Sequence, residues 1–184
     1  MKRLVSVAAV LSLMASISIA AEVAGVKMPD VTTIEGKTLR LNGIGLRKKM
    51  MFKVYVAGLY VEATSKDAAA VISADSVKSI RLHILRSLKG SQVTEAISEG
   101  FERNSKAQMG ALKARLDKLN TMIPDVVEGD EIVMTYAPGK GTVVSAKGVE
   151  KGVIEGKDFA DALFAVWLGA NPVQEDLKKA LLGG

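Results

Sequence analysis

The sequence predicts an α+β domain, and three observations carry that expectation. β-like runs dominate the first 85 residues, helical periodicity fills the middle, and strands then helices close the chain. That order lacks the strict strand–helix alternation of a parallel sheet. With 184 residues, 48% hydrophobic and 24% charged, the composition is that of a folded chain with a sizeable core.

The start of the chain has the pattern of an export signal. Lys2 and Arg3 precede the apolar run Leu4 to Ile19, and Ser18-Ile19-Ala20 supplies small residues where a signal peptidase reads. A transmembrane anchor is the alternative, but the run is short for the ~20 residues that a span needs. The expectation is a signal peptide over residues 1–20, cleavage before Ala21, and a periplasmic domain over residues 21–184. No later stretch is apolar for long enough to span a bilayer.

Ala21 to Asp30 reads as a lead-in, broken at Met28-Pro29-Asp30. Thr32 to Leu41 is strand-like, with a turn at Glu35-Gly36-Lys37. Asn42 to Lys49, rich in Gly and then in charge, reads as punctuation. Met50 to Val61 is the strongest β run. Strict alternation puts Met51, Lys53, Tyr55 and Ala57 on one face and Phe52, Val54 and Val56 on the other. Asp67 to Ile72 is a short helix candidate. Val77 to Leu85 alternates, with Ile80, Leu82 and Ile84 opposite Arg81 and His83.

Val93, Ile97 and Phe101, then Met109, Leu112, Leu116 and Leu119, recur at helical steps, with a break or kink at Asn104-Ser105. Strands follow at Glu131 to Tyr136, Thr142 to Ala146 and Gly152 to Ile154. A helix over Lys157 to Leu168, a break at Asn171-Pro172 and a helix from Gln174 to Leu182 end the chain. There is no internal repeat or linker.

The residue inventory narrows the chemistry. No Cys is present, which excludes disulfides, thiolate metal sites and a thiol nucleophile. His83 is the only histidine: a structural strand residue, or a haem ligand, since one axial His suffices. Gly139-Lys140-Gly141-Thr142 departs from a phosphate loop and reads as a hairpin turn. Basic residues alternate with acids and aromatics are only 4%, so nucleic acid is not an expected partner. Trp167 follows Phe159, Leu163 and Phe164 at core spacing. Arg47 stands at the entrance to the strongest β run and Tyr55 in its middle. A buried Arg needs an anion because it cannot shed its proton; an Arg in solvent beside Lys48 and Lys49 needs none.

Leu41-Asn42-Gly43-Ile44-Gly45-Leu46-Arg47 and Val54-Tyr55-Val56-Ala57-Gly58-Leu59-Tyr60-Val61-Glu62 resemble the chalcone isomerase-like family. The similarity continues through Leu88-Lys89-Gly90, Gln92 to Gly100, Tyr136 to Gly141, and Val153 to Gly169. It implies an open-faced sandwich: a large antiparallel sheet with helices on one side and a ligand cleft between. The plant isomerases of this family cyclise chalcones. Their substrate arginine matches Arg47, and their strand threonine falls on Tyr55. Their helix tyrosine falls on Val93, the asparagine on Gly100 and the last hydroxyl on Ala160. Several enolate-stabilising donors are thus absent, and each is typically worth about 10²–10³ in rate.

Arg plus Tyr over an apolar cleft suits a carboxylate with a hydrocarbon tail, as in the fatty-acid-binding branch that the sequence also resembles. The expectation is a non-catalytic binder of a fatty acid or similar amphipathic carboxylate. Its ligand-site residues are Arg47, Tyr55, Val93, Gly100 and Ala160, with no metal, no cofactor and no stable membrane anchor. An isomerase acting on an unknown enone is the first alternative. A haem-binding protein using His83 is the second, because some mitochondrial relatives bind haem.

Overall fold

A computed structural model of the chain describes residues 20–184, so all but Ala20 of the segment read as a leader lies outside the described residues. Seven strands form one antiparallel sheet whose spatial order follows the sequence. They are β3 (Val31–Ile34), β4 (Lys37–Lys49), β5 (Phe52–Val61), β6 (Lys78–Ile84), β7 (Glu131–Ala137), β8 (Gly141–Ala146) and β9 (Val149–Ile154). Each pairs with its neighbour in the chain, as sequential strands most often do.

The helices cover one face. They are α1 (Ala68–Ser73), α2 (Gly90–Ser105), α3 (Met109–Met122), α4 (Lys157–Leu168) and α5 (Glu175–Leu181). A single 3₁₀ turn at Lys106–Gln108 separates α2 from α3, next to the expected break at Asn104-Ser105. The main core lies between this layer and the sheet. Ala57, Leu59, Ile80, Leu82, Ile132 and Met134 meet Phe101, Leu116, Phe159, Leu163 and Phe164 there. Asp67 caps α1, accepting from the amides of Ala69 and Ala70 at 2.9 and 3.3 Å. The ammonium of buried Lys78 donates to the carbonyls of Val71, Ile72 and Ala74 at the other end of that helix.

Two expectations are corrected. The lead-in Ala21 to Asp30 is a hairpin, β1 (Ala20–Val23) with β2 (Val26–Pro29), lying on the outer face of the sheet. Met28 and Val26 pack on Val56, and a Cβ on Gly58 would overlap the Met28 side chain. The Tyr60 hydroxyl donates to the Pro29 carbonyl at 3.0 Å and ties the hairpin down. The supposed punctuation at Asn42 to Lys49 is strand, the second half of β4. Its glycines answer to packing: side chains at Gly43 and Gly45 would collide with α5, whose backbone at Ala180 and Leu181 lies directly against Gly43. Asn42 adds the tie, donating to the Leu181 carbonyl at 2.8 Å.

Strict alternation along β5 also fails at one point. Arg47 pairs with Tyr55 but Lys48 pairs with Lys53, leaving Val54 as the extra residue of a bulge. The bulge re-aims the start of β5, so Phe52 and Val54 join Tyr55 on the wall of the same cavity. Two further irregularities lie at Leu41/Gly43, between β4 and β5, and at Val144/Ser145, between β8 and β9.

Candidate functional site

A cavity of about 390 Å³ opens between the Arg47 end of the sheet and helices α2 and α4. That volume lies in the range of small-molecule sites. Val54, Leu82, Val93, Ile97, Val166 and Val173 give it apolar walls. Arg47, Lys49, Arg86 and Arg103 contribute four cations, against Glu95 and Glu99.

Arg47 and Tyr55 are cross-strand partners on β4 and β5 and share the cavity side. Among the described residues Arg47 enters no ion pair. Its Nη1 donates to the Lys48 carbonyl and, at 3.2 Å, to Oε1 of Gln174. Gln174, at the N-cap of α5, also accepts from the Lys48 amide at 2.9 Å and donates to the Leu46 carbonyl at 3.3 Å. The guanidinium is therefore held in place by neutral groups, with its charge unmatched.

The Tyr55 hydroxyl accepts a 3.0 Å hydrogen bond from Nε1 of Trp167. Burial pushes its pKa up, opposed by the Trp167 bond and then by the Arg47 charge. The phenol is neutral at ordinary pH, and no hydrogen bond among the described residues uses its proton. An unpaired guanidinium and a free O–H donor thus stand together over an apolar wall. This constellation can take an anionic oxygen pair and bury a hydrocarbon behind it.

Val93 lies on the wall with Arg47 and Tyr55; Gly100 and Ala160 do not. Gly100 is where α2 closes on α4: a Cβ there would lie 2.7 Å from Cγ1 of Val166, so its space is filled by protein. Ala160 is buried in the core. Trp167, read from its spacing as core, is buried and also supplies the indole N–H to Tyr55. Periodicity finds a buried aromatic but cannot show where its polar edge points. Gln174 was visible only as the start of a helix. His83 lies across the sheet from the cavity, its Nδ1 3.5 Å from Glu131, with Arg81 on the same carboxylate at 3.9 Å. Among the described residues no group of three or more His, Asp and Glu could hold a metal ion.

The profile of chalcone isomerase-like proteins matches residues 20–183. No curated protein matches the chain by sequence. Among solved structures, an Arabidopsis thaliana fatty-acid binding protein is similar, with 18% identity and a TM-score of 0.69. The alignment covers 90% of this chain and 95% of that one. The likeness fixes the fold as an antiparallel sheet with helices on one side. With the profile spanning nearly all described residues, the chain belongs to the chalcone isomerase-like family.

Proposed function

We propose that this protein is a non-catalytic binder of a fatty acid or similar amphipathic carboxylate, acting in the periplasm after export. One observation carries the reading: Arg47, without an ion-pair partner among the described residues, shares the head of an apolar-walled cavity with the Tyr55 hydroxyl. A carboxylate satisfies the guanidinium through two oxygens and takes the free phenolic proton. Each methylene buried behind it adds ~0.8 kcal/mol. The similar solved structure is a fatty-acid binding protein, which supports the same ligand class. Apolar Val93, tightly packed Gly100 and buried Ala160 stand where the plant isomerases carry polar side chains. Their chemistry supports binding without cyclisation.

Calorimetric titration of delipidated protein with fatty acids of increasing chain length tests this. Affinity should rise with length until the cavity is full, and Arg47→Ala should weaken it by ~1.5–3 kcal/mol, the range for a charged hydrogen-bonded contact. Arg47→Lys should also lose affinity, because a point charge cannot make the two-pronged contact. Equal affinity of wild type and Arg47→Ala, or no binding at any length, overturns the proposal. Export is checked separately, by finding Ala21 at the N-terminus of protein recovered from the periplasmic fraction.

A further inference from the structure

The tip of the β4–β5 hairpin has features that its own folding disfavours. Lys49 pairs with Phe52, so Met50 and Met51 alone make the turn. Such turns favour Asn or Gly at left-handed positions, yet Met50 has a φ of 55°. The tip is 89% exposed at Met50, 94% at Met51 and 57% at Phe52, one continuous apolar point. Behind it Lys48 stands directly opposite Lys53, a like-charge pair that weakens a hairpin. No Asp or Glu occurs between residues 37 and 61. The Arg86 guanidinium lies over the Phe52 ring, 4.4 Å from its centroid. Among the described residues Lys48, Lys49, Lys53 and Arg86 enter no ion pair.

We infer that this tip docks reversibly on an anionic lipid bilayer. Met50, Met51 and Phe52 enter the boundary between headgroups and acyl chains, and the four cations behind them meet lipid phosphates. An apolar point with a basic collar is the chemistry of an interfacial anchor. Each cation near an anionic surface adds about fivefold to the partition. Three apolar side chains are too few for permanent insertion, so attachment responds to salt and lipid charge. The two disfavoured choices, a Met-Met turn and a Lys–Lys pair, both gain a purpose there. Docking stands apart from the ligand reading. If that reading also holds, docking has a consequence: Lys49, Met50, Phe52 and Arg86 lie on the cavity wall as well, so its mouth would face the bilayer.

The test is co-sedimentation with vesicles of phosphatidylcholine alone or mixed equally with phosphatidylglycerol. Wild type should bind the mixed vesicles, bind neutral ones far less, and release at high salt. Lys53→Glu should lower that binding at least about tenfold while leaving the hairpin as stable or more so, since it replaces a like-charge pair with an opposite one. Met51→Asp should also abolish binding, and Met51→Trp should give a blue-shifted emission on mixed vesicles only. Neither Lys53 nor Met51 lines the cavity. Intact fatty-acid titration with failed vesicle binding therefore sinks the docking alone, and the converse result sinks the ligand reading alone. Equal partition of wild type and Lys53→Glu, or equal binding to neutral vesicles, overturns the inference. So does retention on polyglutamate without an emission shift on vesicles, which would mark an acidic protein partner. A concentration-dependent dimer that Met51→Asp dissolves would mark the tip as a self-association surface and overturn it too.

Discussion

Arg47 takes its orientation from Gln174, a residue 127 positions away in the chain. Gln174→Ala should therefore weaken fatty-acid binding by ~0.5–1.5 kcal/mol, the worth of one neutral hydrogen bond, without touching the ligand itself. Identical dissociation constants would mean that Arg47 is positioned by something else. Tyr55→Phe should cost a similar amount of affinity. It should also cost stability, because the Trp167 indole N–H loses its acceptor inside the protein; a chemical denaturation curve reads the second effect separately. Lys78 gives a prediction in pH. Burial pushes its pKa down to about 8, and Asp161, 3.6 Å away, only partly offsets this. Below pH 8 the group is charged in both states and its burial cost is fully present. From pH 8 to about 10 the unfolded chain keeps a proton that the folded one has shed, so stability rises with pH, on the order of 2 kcal/mol. Above that, tyrosines ionise in the unfolded chain while folded Tyr136 is held up to about 12, and the slope reverses. Urea unfolding at pH 7.5 and 9.5 checks the rise, which Lys78→Met should flatten.

Helix α4 occupies the residues that apolar spacing predicts, and the α2–α3 break falls beside Asn104-Ser105. These were legible because a helix burying one face writes its period into the sequence. The bulge at Val54 was not. Alternation assumes an unbroken register, and a single extra residue sends Phe52 and Val54 to the cavity side. Arg47 and Tyr55 could be proposed from chemistry and resemblance; Gly100 was placed with them by resemblance, and in the fold its missing side chain serves contact with Val166 on α4. Gly43 and Gly45 suggested a turn for a similar reason, since sequence does not reveal which surface approaches a strand. The close seat of α5 gives an element-level prediction. Gly43→Ala would place a methyl group against the α5 backbone, which cannot yield as a side-chain tip can. The variant should lose ~1–3 kcal/mol of stability by overpacking. It should also lose fatty-acid affinity as α5 lifts and takes Gln174 with it. Thermal melts and titration on one preparation would show both losses; a stable variant with normal affinity would refute the coupling.

At the scale of the molecule, the sheet works on both faces. The helix side holds the main core and the cavity, while the β1–β2 hairpin seals part of the other side through Met28, 1% exposed over Gly58. Met28→Ala should cost ~2–5 kcal/mol as a buried large-to-small change, measurable by denaturation, yet leave the cavity across the sheet able to bind. That outer face also carries Arg81, His83 and Glu131, and His83→Ala should change neither fold nor ligand occupancy. The irregular pairing of β8 with β9 has a different consequence. An open sheet ends in strands whose backbone groups could recruit a second molecule, and such borders invite polymerisation. Here one border is β3, only four residues long, and beyond it the second half of β4, whose Leu46 carbonyl and Lys48 amide are taken by Gln174 at the start of α5. The other is β9, which sets exposed Glu150 and Lys151 beside the register shift. Neither border therefore offers the long, flat, apolar template that edge-to-edge fibre growth requires.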